Sequence, residues 1–140
     1  MIDSGEGTHR DPSYHEVVGP RVLVVDDEPH VRYMIRRLLD EEGYRVFEAK
    51  DGLQALEMVR AGPDRLDLVI SDLAMPKLNG IELVQILSLE TPTLPFVLIS
   101  GYATPELARF GIVAPCGLLE KPLVVDKFLA EVKRCLRQRN

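Results

Sequence analysis

The chain of 140 residues lacks several features that define special classes of protein. It has no tryptophan and only two cysteines, Cys116 and Cys135, whose spacing does not match a metal site. No apolar run approaches the roughly 20 residues of a membrane-spanning helix, and residues 1–16 lack the apolar core of a secretory signal. The 22 acidic and 17 basic side chains leave no basic stripe for nucleic acid. We therefore expect a cytoplasmic protein with neither a membrane nor a nucleic-acid partner.

The composition is that of one ordinary globular domain. Hydrophobic residues make up 46% and charged residues 28% of the chain, and the length suits a single core. Residues 1–19 are polar and contain three glycines, so we interpret them as a flexible leader and residues 20–140 as the folded domain. We expect Cys116 to be a small buried packing residue rather than a redox site.

Strands and helices alternate along the folded part. Short apolar runs predict strands at 22–25, 44–49, 66–71, 96–99 and 117–119. Helical spacing predicts helices that end at Gly43 and at Gly62-Pro63, one after Asn79-Gly80, one opening at Thr104, and a closing helix. This alternation predicts an α/β fold, a doubly wound five-stranded parallel sheet with helices on both faces.

Polar side chains follow four of the five predicted strands. They are Asp26-Asp27, Asp72, Ser100 and Glu120-Lys121. In parallel sheets the functional crevice lies at this edge. Three clustered carboxylates would repel each other unless a cation intervened, and Mg²⁺ accepts such oxygen ligands together with a phosphate. With a lysine and a serine nearby, one aspartate could accept a phosphoryl group as an acyl phosphate.

Each of these residues also has a simple structural explanation when it is considered alone. Asp27 could cap a helix that starts at Glu28-Pro29, and Asp72 could cap the turn before Met75-Pro76. Ser100 could serve a turn, and Lys121 could be a solvated loop lysine. Their joint occurrence at four strand ends favours a site.

Four motifs resemble the receiver domain of bacterial two-component response regulators. They are VLVVDDEPHVR (22–32), SDLAMPKLNG (71–80), LISGY (98–102) and LLEKP (118–122). The resemblance extends from about residue 21 to residue 136. It implies the flavodoxin-like fold with strand order 2-1-3-4-5.

The resemblance also assigns roles to individual residues. It implies that Asp72 is the phosphoacceptor, that Lys121 holds the phosphoryl group, and that the Lys121-Pro122 bond is cis. Mg²⁺, or Mn²⁺ in its place, would be bound directly by Asp27 and Asp72, by Asp26 through water, and by the Ala74 carbonyl.

The implied switch and partner face includes Ser100, Tyr102 and Leu118. Ser100 matches the hydroxyl that turns toward the phosphoryl group. Leu118 departs from the family, which usually has Tyr or Phe there, so we expect a muted or rerouted surface response. Ala74 and Tyr102 occupy positions that tune the lifetime of the phosphoryl group, and alanine cannot orient an attacking water.

The implied reaction is transfer from a phosphohistidine on a histidine kinase or histidine phosphotransfer domain. The chain would be a phosphoacceptor that assists its own phosphorylation and dephosphorylation rather than an enzyme. It would then bind an unidentified downstream protein or pass the phosphoryl group onward, and homodimerisation is left open.

Several alternatives stay open at this point. The chain could be a receiver fragment of a larger regulator or hybrid histidine kinase, or a degenerate module that binds without phosphorylation. A phosphatase of the haloacid dehalogenase type would need a DxD motif in one loop, whereas Asp26 and Asp27 are adjacent. A flavodoxin would need a phosphate-binding loop, and the acidic first loop opposes this.

Overall fold

The computed structural model describes residues 19–62, 65–101 and 115–138. Its strands are β1 (Arg21–Val25), β2 (Arg45–Ala49), β3 (Leu68–Asp72), β4 (Phe96–Ser100) and β5 (Gly117–Glu120). Its helices are α1 (Pro29–Glu41), α2 (Gly52–Ala61), α3 (Gly80–Glu90) and α4 (Val125–Arg137). Nearly all of the predicted leader, and the helix predicted to open at Thr104, lie outside these ranges. No helix within them combines the length and apolar character needed to cross a membrane.

The five strands form one parallel sheet in the order β2-β1-β3-β4-β5. This confirms the predicted doubly wound sheet and its strand order. Val25 of β1 pairs with Ser71 of β3, so that the residues following each, Asp26 and Asp72, reach the same edge. The register therefore brings the polar strand ends together, at the point where the strand order reverses.

The core has two layers, one on each face of the sheet, because successive strand residues point to opposite faces. Strand residues that point to one face, such as Val24 and Ile70, pack in the core layer under α1 and α4. Phe128 of α4 is fully buried in this layer. Strand residues that point to the other face, such as Leu23 and Leu98, belong to the layer of α2 and α3. Burial of the central strands on both faces explains their continuous apolar runs.

The helix ends follow the predicted stop signals. Gly62 adopts the left-handed conformation at the C-cap of α2 with φ of 55°, and Gly43 lies just beyond α1 with φ of 86°. Asp51 caps α2 by accepting a hydrogen bond from the Gln54 N–H at 2.8 Å. Asn79 and Glu82 form a reciprocal capping box at the start of α3.

The prediction for Cys116 was wrong. Cys116 is only half-buried, and it forms a disulfide bond with Cys135, which is fully buried in α4. The residues are 19 positions apart, but β5 packs against α4 and brings their Cα atoms to 5.9 Å. The two cysteines are thus a bonded pair that joins the start of β5 to the closing helix.

An ion-pair network connects α1 to β2. Glu48 accepts hydrogen bonds from Arg36 Nη1 at 2.6 Å and from Arg32 Nε at 3.0 Å. The hydrogen bond from Arg36 is the main reason that the pKa of Glu48 is lowered, although burial acts in the opposite direction. The pair is partly shielded, since the Glu48 side chain is 30% exposed.

We predict that Glu48→Gln lowers the free energy of unfolding by about 1 kcal/mol at pH 7. Because the folded-state pKa of Glu48 is lowered, its contribution is present above the unfolded pKa of about 4.3. The contribution is lost as the pH falls through the folded-state value. Urea unfolding of both proteins at pH 7 and about pH 3 should therefore show the difference only at the higher pH.

The exposed Arg60–Glu90 pair provides the matched control. Glu90→Gln should change the free energy of unfolding much less than Glu48→Gln at pH 7, because solvent screens the pair. A loss for Glu48→Gln of equal size at both pH values would contradict the prediction.

Candidate functional site

Three carboxylates converge at the carboxyl edge of the sheet. Oxygen atoms of Asp26, Asp27 and Asp72 all lie within 4.8 Å of one another. Asp26 is 1% and Asp72 7% exposed, whereas Asp27 is exposed to solvent. The cluster therefore has two buried members and one that faces the crevice, as a site for a partly hydrated cation requires.

The acidic pair of residues is fixed by the backbone around it. The Asp26 N–H donates to the Ala49 carbonyl of β2 at 3.2 Å, and Asp26 Oδ1 accepts from the Glu28 N–H at 2.8 Å. The N-cap of α1 is Glu28, whose side chain makes no capping hydrogen bond. Asp27 is therefore not the helix cap that its position before Glu28-Pro29 could suggest.

Asp72 is the last residue of β3 and contacts Lys121 across the sheet edge. Lys121 Nζ donates to Asp72 Oδ2 at 3.1 Å, and the Ala74 N–H makes a long contact of 3.4 Å with Asp72 Oδ1. The Lys121-Pro122 bond is cis, as the resemblance implies. Lys121 is thus no freely solvated loop lysine, since its ammonium group lies against a buried carboxylate.

Ser100 ends β4 beside Lys121. It is 1% exposed and pairs in register with Glu120, and its carbonyl accepts from the Lys121 N–H at 2.8 Å. The backbone therefore holds Ser100 next to the lysine that contacts Asp72. Five residues predicted from the sequence therefore lie at one edge of the sheet: Asp26, Asp27, Asp72, Ser100 and Lys121.

The charges of the site are unbalanced. Burial raises the pKa of Asp26 most, and the carboxylates of Asp72 and Asp27 raise it further, against the Glu28 N–H and Lys121, which lower it. Burial would lower the pKa of Lys121, but its hydrogen bond to Asp72 and the nearby carboxylates raise it overall. One ammonium faces three carboxylates, which leaves an excess of two negative charges for a divalent cation to balance.

Two supporting residues had no assigned role from the sequence. Arg32 donates from Nη1 to the Asp26 carbonyl at 2.7 Å while its Nε contacts Glu48, so it connects the acidic loop to β2. Gly80 lies where a Cβ atom would come within 2.6 Å of the Asp72 carbonyl, and its N–H donates to Leu73 at 2.9 Å. Arg32 is the last residue of the motif at 22–32 and Gly80 the last residue of the motif at 71–80. Membership of these motifs is the only sequence feature that could have indicated a role for either residue.

Two other predicted positions, Ala74 and Leu118, are exposed to solvent. Ala74 is exposed in the loop after β3, and Leu118 is 38% exposed on β5. Tyr102 lies outside the described residues. The proposed roles of these positions in switching and in the lifetime of the phosphoryl group stay predictions.

Most of the chain, including the residues at this edge, matches a known family model. The model of the response regulator receiver domain matches residues 22–133, which include every strand end described above. The chain belongs to the response regulator receiver family. Receiver domains bind Mg²⁺ in an acidic pocket and interact with histidine kinases or phosphotransfer proteins.

Similar curated proteins contain the receiver as one part. The chain is 36% identical over 120 residues to the sensor kinase CckA of Brucella abortus, which covers 85% of the chain and 13% of that kinase. It is 35% identical over 119 residues to the response regulator MprA of Mycobacterium ulcerans, covering 84% of the chain and 50% of that regulator. The chain thus spans half or less of these relatives.

A solved structure of similar fold carries ligands. The response regulator TrrA of Thermotoga maritima, in a complex with magnesium and BeF, matches with a TM-score of 0.74 and 30% identity. The match covers 83% of this chain and 98% of that one. The magnesium in that complex agrees with the acidic cluster found here.

We predict that Arg32→Lys weakens Mg²⁺ binding by roughly tenfold, as the loss of a group that orients metal ligands often does. Lysine can pair with Glu48 but lacks the second arm that reaches the Asp26 carbonyl. Isothermal titration calorimetry with MgCl₂ measures the change. Arg36→Lys is the control, since Arg36 contacts Glu48 and Asp40 and, within the described residues, does not contact the acidic loop. Equal affinity losses in both variants would contradict a role for Arg32 in positioning Asp26.

Proposed function

We propose that this receiver accepts a phosphoryl group on Asp72 from a phosphohistidine, in a Mg²⁺-dependent reaction. The observation that supports this best is the contact of 3.1 Å between Lys121 Nζ and Asp72, inside a cluster of three carboxylates. The lysine can hold a phosphoryl oxygen beside Asp72, and the surplus carboxylates can bind a divalent cation that offsets the negative charge of the phosphate.

The proposed transfer uses the chain's own groups for attack and charge balance. A carboxylate oxygen of Asp72 forms a bond to phosphorus while the bond from phosphorus to the histidine nitrogen breaks, and the freed imidazole takes up a proton from solvent. The Lys121 ammonium holds one phosphoryl oxygen, and the Ser100 hydroxyl donates to another. Hydrolysis of the acyl phosphate later restores Asp72.

The residues present fit a magnesium ion. Asp27 and Asp72 would bind it directly, Asp26 through water, and the carbonyl of Ala74 would complete the protein ligands, with Mn²⁺ as a substitute. When bound, the ion neutralises negative charge on the transferring phosphoryl group. The unbalanced charge of the acidic cluster and the exposure of Asp27 support this assignment.

The chain would act as a signalling module in the cytoplasm rather than as an enzyme. Its donor would be a histidine kinase or histidine phosphotransfer domain, and phosphorylation would bias binding to a downstream protein or onward transfer. The similarity to CckA and to MprA supports a receiver within a larger bacterial protein equally well. Homodimerisation stays open, and a degenerate binding module is the outcome if Asp72 does not react.

Intact-protein mass spectrometry after incubation with acetyl phosphate tests the proposal. The wild type should gain one phosphoryl group only when Mg²⁺ is present, and Asp72→Asn should gain none. Asp51→Asn is a matched control, because Asp51 is as buried as Asp72, lies at the N-cap of α2, and asparagine caps a helix as well as aspartate. No gain in the wild type with Mg²⁺, from acetyl phosphate or from a phosphorylated histidine kinase, would contradict the proposal.

A second prediction concerns the lifetime of the phosphoryl group. Ala74 offers no side-chain group to orient water, so Ala74→Gln should shorten the half-life of phosphorylated protein by roughly three- to tenfold. The loss of the phosphoryl mass is followed after acetyl phosphate has been removed by desalting. Lys77→Gln, an exposed change in the same loop, should leave the half-life unchanged. A wild-type half-life of seconds, or one unaffected by Ala74→Gln, would refute this.

A further inference from the structure

The cysteine pair lies at the opposite edge of the sheet from the acidic cluster. Cys116 directly precedes β5, whose other end leads to Lys121, and Cys135 lies on the buried face of α4, within the core layer. The Cα–Cα distance of 5.9 Å is within the range of disulfides. The proposed phosphoryl transfer makes no use of this pair.

Contacts other than the disulfide also hold the two cysteines together. Arg134 of α4 donates from Nη2 to the Cys116 carbonyl and pairs through Nε with Glu131 at 2.8 Å. The Glu131 side chain in turn fills the space beside Gly117, where a Cβ atom would come within 2.8 Å of it. The backbone around Cys116 is therefore anchored to α4 by polar contacts, so reduced thiols would stay within bonding distance.

The pair also has a route for a small reactant. Cys116 is half-buried and lines a groove of about 410 Å³ together with Ser88, Thr93, Phe96, Pro115 and Gln138. The Arg134 guanidinium lies 3.6 Å from the Cys135 sulfur, and a neighbouring cation favours the reactive thiolate. An accessible thiol backed by a buried partner next to a cation is the arrangement of an attacking and a resolving cysteine.

We propose that Cys116 and Cys135 are a reversible oxidation site that exchanges with low-molecular-weight disulfides. The Cys116 thiolate attacks one sulfur of the small disulfide, which forms a mixed disulfide and releases one thiol. The Cys135 thiolate then attacks the Cys116 sulfur, forms the internal disulfide and releases the second thiol. Two electrons pass from the cysteine sulfurs to the small disulfide. Reversibility fits a cytoplasmic protein, since cytosolic disulfides are usually transient.

Equilibration of the full chain with reduced and oxidised glutathione tests the site. After acid quenching and alkylation, intact mass should show two alkyl groups in reducing buffers. In oxidising buffers the monomer should carry no alkyl group, and its mass should be lower than that of the unalkylated reduced protein by two hydrogens. Two alkylated thiols at every ratio, or disulfide-linked dimers without the internal bond, would overturn the proposal.

Single variants test the assigned order of attack. Cys135→Ala should accumulate one glutathione on Cys116, because the resolving thiol is absent. Cys116→Ala should react at least tenfold more slowly, because Cys135 is fully buried. Equal rates in the two variants would overturn the assignment of Cys116 as the attacking thiol.

Thermal unfolding shows whether the bond forms within the folded protein. A bridge across 19 residues should raise the melting temperature of the oxidised wild type by roughly 5 to 15 °C over the reduced form. A Cys116→Ala/Cys135→Ala double variant should melt at one temperature in both buffers. An oxidised wild type with an unchanged or lower melting temperature would contradict a site built into the native fold. This result does not depend on the chemistry of Asp72.

Discussion

Repulsion between buried carboxylates is the constraint on which the arrangement of this molecule depends. Asp26 and Asp72 are both nearly inaccessible to solvent. Their carboxylate oxygens and those of Asp27 lie within 4.8 Å of one another, so three negative charges meet in one place. A folded protein tolerates such a cluster only if cations offset it or if one carboxyl group takes up a proton, and the pKa of Asp26 is raised accordingly. Lys121 supplies one positive charge, and β5 together with the backbone bond to Ser100 holds that lysine in place. The fold thus preserves an excess of negative charge that a divalent metal ion can balance.

Much of this edge could be predicted from the sequence, because the strands of the predicted sheet all run in the same direction. Parallel strands all end on the same side, so a polar residue after each apolar run must reach the common edge. The apolar run of β3 was expected to stop at Ser71, yet the strand continues to Asp72. The difference of one residue does not move the carboxylate from the edge. The apolar runs and the polar residues after them were sufficient to place these side chains at one edge, whereas their individual roles came from the resemblance.

Residues that act through the backbone could not be predicted in this way. Arg32 was part of the first motif, but its hydrogen bond to the Asp26 carbonyl depends on how α1 lies over β2. Gly80 was predicted only to precede a helix, whereas its close approach to the Asp72 carbonyl requires the absence of a side chain. Neither contact produces a periodic pattern in the sequence from which it could be predicted. The cysteine pair escaped prediction for the same reason, since sequence spacing does not show that α4 returns beside β5.

The two ends of β5 carry different chemistry on one short strand. Lys121 follows its carboxyl end and contacts Asp72, while Cys116 precedes its amino end and is joined to α4. β5 pairs with β4 alone among the described strands, so its position depends on this ladder and on packing against α4. A covalent link at one end of a strand restricts its movement relative to the helix beneath it. While the disulfide is formed, any displacement of β5 that accompanies a change at Lys121 must therefore either carry α4 with it or pivot about the bond.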